Sequence, residues 1–215
     1  MSRVVGCTVE EAECATDELL GHASAIRSLV RNITRTGRSY YAQIPAPFEL
    51  YSMVRLVRPT TLIESGVASG VSTTFIQMGI RANQRGSLHS MDMPVARRTA
   101  ERNESWAIPA GLSSGWAIPS EIKQGWDLRL GRSEDILVDL LDEVGVLDFY
   151  CHDSPVDEKH LDFEMKAIRP HLRPGSLVVA DNTGRKGTFE KTARAMGTVS
   201  IRRRNSSLAA FRVPR

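Results

Sequence analysis

Hydrophobic residues along the chain fall into short runs typical of buried strands, and these runs alternate with longer segments of helical periodicity. The strand-like runs are residues 60–64, 87–92, 128–130, 147–152 and 177–181, followed by a hairpin at 199–203 and 208–213. The helix-like segments are residues 8–36, 47–57, 72–83, 94–104, 133–143, 157–172 and 187–196. This alternation predicts an α/β fold, in which a mostly parallel sheet has helices on both faces and ends in an antiparallel hairpin.

Local residue types support several of these boundaries. Thr8 followed by Glu11 has the spacing of a capping box at the start of the first helix. Pro59 ends the short amphipathic helix over 47–57. Asn205 and Ser206 suit the turn of the closing hairpin.

The length and composition fit one α/β domain with accessory segments. A chain of 215 residues with 41% hydrophobic content can bury a core without disulfides. We expect residues 1–46 to form a helical lid segment and residues 47–215 to form the main domain. Residues 105–127 interrupt the rhythm with a local repeat that holds all three tryptophans, Trp106, Trp116 and Trp126. Packing of a long connection is the favoured interpretation, and an aromatic wall beside a binding site is the alternative.

Charge and cysteine content exclude some classes of protein. The net charge of +3, without a basic stripe interleaved with aromatics, argues against nucleic-acid binding. No apolar run is long enough for a membrane helix, and the acidic N-terminal stretch is unlike a secretory signal. Cys7, Cys14 and Cys151 are widely spaced, which predicts free thiols rather than a disulfide framework. We therefore expect a cytoplasmic protein.

The turn after the first strand has the residues of a ligand-binding loop. Gly66 and Gly70 allow a sharp bend and a close approach of the backbone to a ligand. The helix that starts near Ser72 would direct free N–H groups towards a carboxylate. Glu64 would repel a pyrophosphate but suits a cofactor with a cationic amino group and a sulfonium. We expect these four residues and Ser69 to contact such a cofactor, although dinucleotide folds use similar glycine loops.

Two further strand ends carry candidate cofactor contacts. Asp92 ends the second strand, where a carboxylate can accept hydrogen bonds from both ribose hydroxyls. Capping of a helix before Pro94 is the alternative, and ribose binding is favoured. Ser133 and Glu134 follow the third strand, and they either cap a helix or reach an adenine edge.

Two later strands end in oxygen-bearing side chains. Asp153 follows the run 147–152, and Asp181 and Asn182 lie at the end of the next run. Ligands of open α/β sheets bind at the carboxyl ends of the strands. These three residues match Mg²⁺ or a similar ion, which could chelate two neighbouring hydroxyls and lower the pKa of one. The alternative is that they cap helices or contact the cofactor.

Together these motifs resemble those of class I S-adenosylmethionine-dependent O-methyltransferases of the catechol and caffeoyl-CoA type. The methyltransferase domain 24 group is more similar still. The resemblance covers roughly residues 43–182 and is carried by the runs 42–80, 86–94, 116–137 and 148–183. It implies a Rossmann-like fold with a seven-stranded sheet and S-adenosylmethionine as the cofactor.

The resemblance also implies roles for single residues at matching positions. These are Glu64, Gly66, Gly70 and Ser72 for the methionine moiety, Asp92 for the ribose, Ser133 for the adenine, and Asp153, Asp181 and Asn182 for the metal.

Two features of the resembling families are missing. Val156 stands where catechol-type enzymes carry a lysine general base and domain 24 relatives tend to carry histidine. Pro155 replaces an aromatic that catechol-type enzymes set near the methyl group. Lys159 and His160 lie about one helical turn further on and are candidate bases, although a surface or capping role is favoured for each. Asp153 is the third candidate catalytic residue.

The expected function is methyl transfer from S-adenosylmethionine to an oxygen, or less favourably a nitrogen, of a small or sugar-like metabolite, with assistance from a divalent metal. The lid and the tryptophan segment would cover the acceptor, and the N-terminal helix could build a homodimer interface. A nucleotide-dependent oxidoreductase on the same fold and a catalytically inactive S-adenosylmethionine-binding protein are the alternatives.

Overall fold

Seven strands form one sheet within the part of the chain that the computed structural model describes, residues 1–36, 44–94, 108–154, 157–181, 183 and 187–215. The strands are β1 (Thr61–Ser65), β2 (Ser87–Asp92), β3 (Asp127–Leu130), β4 (Leu147–His152), β5 (Leu172–Ala180), β6 (Ile201–Arg202) and β7 (Ala209–Arg212). Their order is β3-β2-β1-β4-β5-β7-β6. β1 to β5 pair in parallel, whereas β7 is antiparallel to both β5 and β6. The predicted parallel sheet with an antiparallel hairpin is confirmed.

Helices cover both faces of this sheet. Over the described residues the α-helices are α1 (Ser2–Val5), α2 (Val9–Asp17), α3 (Ala23–Thr34), α4 (Pro47–Val57), α5 (Val71–Asn83), α6 (Ser133–Val144), α7 (Glu158–Ile168) and α8 (Thr188–Ala195). None of the described helices is long and apolar enough to cross a membrane. The predicted helix over 94–104 lies almost wholly outside the described residues.

The N-terminal helical segment is divided rather than continuous. Thr8 caps α2 as predicted, because its hydroxyl accepts from the Glu11 N–H at 3.1 Å and the Glu11 carboxylate accepts from the Thr8 N–H at 2.8 Å. The prediction of one helix over 8–36 is wrong, since Glu18–His22 forms a 3₁₀ turn between α2 and α3. The Tyr51 hydroxyl of α4 lies 3.1 Å from Glu18 and 3.2 Å from His22, a tertiary contact that periodicity does not reveal.

Several other predicted boundaries shift. α7 ends at Ile168 rather than at 172, and Arg169–His171 continues as a 3₁₀ turn. Pro170 explains this end, because proline has no N–H to donate to the preceding helical turn. β5 consequently begins at Leu172, before the predicted run 177–181, and the hairpin strands β6 and β7 are shorter than predicted.

Each face of the sheet has its own hydrophobic core, because successive residues of a strand point to opposite faces. Leu62 packs in the cluster beneath α4 and α5, whereas Ile63 packs in the cluster beneath α6 and α7. In β4, Phe149 belongs to the first cluster and Tyr150 to the second. Burial on both faces explains why these strands read as continuous apolar runs.

Two accessory segments pack on the first of these clusters. Leu19 and Leu29 of the N-terminal segment are buried in it. Trp116 and Trp126 are partly buried and pack against it as well, which confirms the packing interpretation for these two tryptophans. Trp106 lies outside the described residues.

Backbone hydrogen bonds continue the parallel ladder past the strand ends and hold the following turns side by side. The bonds run from the N–H of Gly66 to the Met91 carbonyl (2.9 Å), of Gly131 to Asp92 (3.0 Å), of Asp153 to Ser65 (2.7 Å) and of Asp181 to His152 (2.9 Å). The turns after β1 to β5 therefore share the carboxyl edge of the sheet, where ligands of open α/β folds bind.

Candidate cofactor site

Glu64 is fully buried beneath the glycine loop that follows β1. Its carboxylate accepts hydrogen bonds from the hydroxyls of Ser72 (2.5 Å), Thr73 (2.8 Å) and Ser90 (2.7 Å). Burial raises the pKa of Glu64 to about 7, although the three hydrogen bonds act in the opposite direction. The loop therefore lies over a carboxylate whose hydrogen-bond partners within the described structure are all neutral.

Gly66 makes the sharp turn at the end of β1. Its φ is 90°, in the left-handed region that favours glycine. A Cβ atom at this position would lie 2.7 Å from the carbonyl carbon of Asp153 and 3.1 Å from the backbone nitrogen of Ser154. The turn after β1 is thus pressed directly against the turn after β4.

Ser69 and Gly70 complete the loop, and the tryptophan-containing connection packs on both. The Ala117 N–H donates to the Ser69 carbonyl at 3.0 Å, and a Cβ on Gly70 would lie 2.7 Å from Cδ1 of Ile118. The Ser69 hydroxyl is buried and has no hydrogen-bond partner among the described residues. A buried hydroxyl in this state suits a ligand that supplies the missing partner.

Asp92 lies at the end of β2 and contacts the same loop. One carboxylate oxygen accepts from the Val67 N–H at 3.1 Å, and the other accepts from the Ser114 hydroxyl. Sequence reasoning misses Ser114, because nothing local marks a serine within a long connection as a partner of Asp92. The ribose role of Asp92 stays a prediction, and its contact with Val67 places it beside the glycine loop.

Asp153 and Asp181 follow β4 and β5 at the same edge. Burial raises the pKa of Asp153 well above its usual range, and the negative charges of Asp181, Glu64 and Asp92 raise it further. Three further carboxylates therefore act on Asp153 at this edge, an arrangement that a bound cation would relieve. Asn182, the third predicted metal ligand, lies outside the described residues.

Ser133 and Glu134 begin α6, and His160 of α7 lies beside both. His160 Nε2 is 3.5 Å from the Ser133 hydroxyl, and His160 Nδ1 is 3.3 Å from the Glu134 carboxylate. A contact of 2.9 Å with Glu164 raises the pKa of His160 to about 9, although burial opposes the shift. His160 thus carries a positive charge at neutral pH, next to the two residues predicted to contact adenine.

The two candidate bases of α7 have different surroundings. Lys159 is exposed in the first helical turn, and its N–H donates to the capping carboxylate of Asp157 at 3.0 Å. His160 already holds a proton at neutral pH, which favours a role as a hydrogen-bond donor over a role as a base. A catalytic role for either residue stays a prediction.

A second buried carboxylate, Glu164 of α7, is absent from the sequence-based candidates. It has no exposed surface, and it accepts hydrogen bonds from Ser65 (2.5 Å), Tyr150 (2.7 Å) and His152 (2.6 Å) in addition to the His160 contact. Burial alone would raise the pKa of Glu164, but the hydrogen bonds from His152 and His160 outweigh it and hold the pKa below its usual range.

A signal for Glu164 does exist in the sequence. Leu161, Met165 and Ile168 form the buried face of α7, and position 164 falls on that same face. A charged residue within an apolar stripe is buried only when it has partners. The partners themselves come from β1 and β4, which the sequence of α7 cannot indicate.

The sheet order, with its single antiparallel edge, is that of a Rossmann-like class I methyltransferase. The model of the methyltransferase domain 24 family, described as a methyltransferase domain, matches residues 63–183. The chain belongs to this family of methyltransferases.

Several solved structures share the fold. An O-methyltransferase from Bacillus cereus in complex with S-adenosylhomocysteine (SAH) is 13% identical, with a TM-score of 0.59 over 90% of this chain and 91% of that chain. The O-methyltransferase TomG from Streptomyces achromogenes, in complex with S-adenosylmethionine, is 16% identical, with a TM-score of 0.59 over 87% and 89%. The calicheamicin methyltransferase CalS11 is 16% identical, with a TM-score of 0.58 over 94% and 91%. Among curated proteins none matches the sequence.

Proposed function

We propose that the protein transfers the methyl group of S-adenosylmethionine to a hydroxyl oxygen of a small-molecule or sugar-like acceptor. The observation that carries this proposal is the convergence of acidic residues on the turns around the glycine loop, namely Glu64 beneath it, Asp92 bonded to it, and Asp153 and Asp181 on the neighbouring turns. A cofactor with a sulfonium and an amino group is attracted to such a site. The pyrophosphate of NAD would be repelled, which disfavours the oxidoreductase alternative. Transfer to oxygen is favoured because TomG and the Bacillus cereus protein are both named O-methyltransferases.

The described residues offer a contact for each part of the cofactor. The unpartnered hydroxyl of Ser69 and the free N–H groups of α5, which begins after Gly70, fit the carboxylate of the methionine moiety. Asp92 is the proposed ribose acceptor, with its side chain held by the loop. Ser133 and Glu134 are the proposed adenine contacts.

The bound cofactor supplies an electrophilic methyl group on a sulfonium. The proposed role of Asp153 is to attract that cation and to hold the acceptor hydroxyl in line, where its carboxylate can take up the proton. The proposed role of Glu64 is indirect. Its charge lies beneath the loop, and its hydrogen bonds orient the hydroxyls of Ser72 and Thr73 at the start of α5.

A divalent cation fits the same edge of the sheet. Asp153 and Asp181 are oxygen donors on neighbouring strand ends, and the repulsion that raises the pKa of Asp153 would be relieved by a bound cation. Asn182 is the proposed third ligand. Mg²⁺ held there would chelate the acceptor hydroxyl and lower its pKa.

Residues 1–46 and 105–127 are the proposed cover of the acceptor. A hydrogen bond of 3.0 Å from the Asn32 side chain to the Ala117 carbonyl joins the two segments. The N-terminal segment also exposes Leu20 and Val30, which makes it a candidate homodimer interface. All three cysteines are free, in keeping with the proposed cytoplasmic location.

Calorimetric titration of the protein with SAH and with NAD⁺ tests the identity of the cofactor. A second assay tests the reaction by following the transfer of a labelled methyl group to a panel of hydroxylated acceptors, with and without Mg²⁺. We expect SAH to bind and NAD⁺ to give no binding heat. Binding of NAD⁺ in place of SAH would refute the proposal. SAH binding without turnover on any acceptor would favour the inactive binding protein instead.

The variant Asp92→Asn tests the ribose contact. We expect the Kd for SAH to rise about 10–100-fold, which is roughly 1.4–2.7 kcal/mol, because the amide accepts fewer hydrogen bonds from the ribose. The thermal midpoint should change little, since the asparagine oxygen can still accept from the Val67 N–H. Asp139→Asn, at an exposed position of α6, is the matched control. Unchanged SAH affinity in Asp92→Asn would refute the ribose assignment.

A further inference from the structure

Glu164 sits where three turns of the cofactor edge meet. Its carboxylate accepts a hydrogen bond from Ser65, the last residue of β1, which directly precedes Gly66. Through Tyr150 and His152 it contacts β4, which leads directly into Asp153. One buried carboxylate therefore holds the strands that end in the glycine loop and in the proposed acceptor-side carboxylate.

The same carboxylate reaches the adenine side through His160. His160 Nε2 is 2.9 Å from Glu164 and 3.5 Å from the Ser133 hydroxyl, while Nδ1 faces Glu134 at 3.3 Å. Ser133 is itself buried. The two ring N–H groups of the charged His160 thus join Glu164 on one side to Glu134, at the start of α6, on the other side.

The Ser65 hydroxyl extends this network towards the methyl side. It lies 2.7 Å from the hydroxyl of Ser154, and Ser154 immediately follows Asp153. The Gly66 turn packs against the backbone of the same two residues. A change at Glu164 would therefore alter the positions of the turns on both sides of the proposed cofactor site.

We propose that Glu164 and His160 are positioning residues for the cofactor, which hold the adenine-side turn at Ser133 in register with the turns at Gly66 and Asp153. This inference rests on the proposed function, since it takes the cofactor to lie across these turns. The network contributes to affinity because a pre-formed site does not have to be ordered when the ligand binds.

A metal centre is the competing interpretation of this cluster. His152, His160 and Glu164 each offer a ligand atom within 4.8 Å of the others. However, each Glu164 oxygen already accepts two hydrogen bonds, at 2.5 and 2.9 Å on one and 2.6 and 2.7 Å on the other. A carboxylate with four donors is fully satisfied without an ion, so the hydrogen-bonded network is the interpretation that we adopt.

The test compares SAH affinity, by calorimetry, in the wild type and in the variants Glu164→Gln, His160→Phe and His160→Gln. We expect the Kd to rise at least tenfold in the first two, and we expect His160→Gln to recover most of the affinity because its amide can still donate to Glu164. Asp162→Asn is the matched control, since Asp162 lies on the exposed side of α7 and pairs only with Lys166 there. Its Kd should stay within about twofold of the wild type.

A double-mutant cycle separates positioning from a general loss of stability. If His160 acts through Glu134 at the start of α6, the combination of Glu134→Gln with His160→Phe should weaken SAH binding no more than the stronger single change. A merely structural role would lower the thermal midpoint and leave the two effects on affinity additive. The His160 variants change a partly exposed side chain, so they remain informative if Glu164→Gln does not fold.

The possible results distinguish the proposed function from the positioning role. Failure of the wild type to bind SAH removes the proposed function and this inference with it. Normal SAH binding by His160→Phe and Glu164→Gln, or an additive cycle, overturns the positioning role and leaves the proposed function standing. One zinc ion per chain in the wild type, lost in Glu164→Gln, would make the cluster a metal centre and overturn the hydrogen-bonded interpretation.

Discussion

Glu64 is a buried carboxylate beneath the proposed cofactor loop, and its charge has a cost in stability. Its carboxylate is fully buried, and its partners Ser72, Thr73 and Ser90 are neutral hydroxyls, so burial raises its pKa to about 7. The ionised form is therefore unfavourable in the ligand-free protein at pH 8. A cationic ligand above the loop would compensate for part of this cost.

The variant Glu64→Gln should consequently be more stable and bind less well. At pH 8 we expect the thermal midpoint to rise by roughly 3–6 °C, which is about 1–2 kcal/mol for a chain of this size. The Kd for SAH should rise about tenfold, because the amino group of the ligand loses a negative charge nearby. Calorimetry and thermal unfolding measure both quantities.

Glu121→Gln is the control for this variant, because Glu121 is exposed in the tryptophan-containing connection. It should change neither the thermal midpoint nor the SAH affinity. A lower midpoint and normal affinity in Glu64→Gln would show that Glu64 is a purely structural residue.

Several candidate site residues are predicted from the chain, but their partners are not. Asp92 is predicted from its place at the end of an apolar run, and the structure confirms that it ends β2. Its contact with Ser114 joins residues 22 positions apart in a segment without periodicity. Such a pairing depends on how the connection folds back over Gly70.

The glycine loop between β1 and α5 packs against two other segments of the chain within a few residues. Gly66 turns against Asp153, and Gly70 accepts the close approach of Ile118. Both glycines have a φ of 90°. The loop is thus held by contacts on two sides, and its geometry tolerates no side chain at these positions.

The substitution Gly66→Ala tests this close packing. We expect it to lower the free energy of unfolding by at least about 3 kcal/mol, because the methyl group clashes with the Asp153 backbone and the left-handed φ is unfavourable for alanine. Gly111→Ala is the matched control. Gly111 has a φ of 80°, but no atom lies within 4 Å of the place that a Cβ would occupy, so it should lose only about 1 kcal/mol.

Urea unfolding of both variants separates the two contributions. An equal loss in Gly66→Ala and Gly111→Ala would mean that backbone conformation alone requires glycine at position 66. A difference of about 2 kcal/mol or more would confirm the close approach of the turns after β1 and β4.

Ionisable groups of the site also set how the stability of the whole protein depends on pH. The pKa of Glu64 is raised from 4.5 to about 7, and that of His160 from 6.5 to about 9. In both cases the folded state keeps a proton that the unfolded chain has released. The stability of the ligand-free protein should therefore fall as the pH rises through these two ranges.

We expect each group to contribute about 2 kcal/mol, after allowance for solvent screening of the partly exposed His160. Urea unfolding at pH 5, 7 and 9 measures the loss. Glu64→Gln should reduce the decrease between pH 5 and 7, to which the raised pKa of Asp153 also contributes, and His160→Gln should reduce the decrease between pH 7 and 9. Burial lowers the pKa of His22 and acts in the opposite direction, so the variants isolate each group better than the wild type does. Unchanged pH profiles in both variants would contradict this account.

The sequence by itself determined the fold class, the strand and helix order, and the position of the glycine loop. These features depend on patterns within about a dozen neighbouring residues, such as apolar runs, capping pairs and glycines at a strand end. Local patterns also misplaced two boundaries, where the Tyr51 contact favours a 3₁₀ turn and where Pro170 ends a helix early.

Only the tertiary structure decided which side chains meet at the site. The Asn32–Ala117 bond joins residues 85 positions apart, and the Ser65–Glu164 bond joins residues 99 positions apart. The second contact arises because the parallel order of the strands places β1 beside β4 and α7, whereas the first arises because two accessory segments pack on each other. The glycine loop was therefore predictable from the chain, whereas the buried network around Glu164 depends on the assembled sheet.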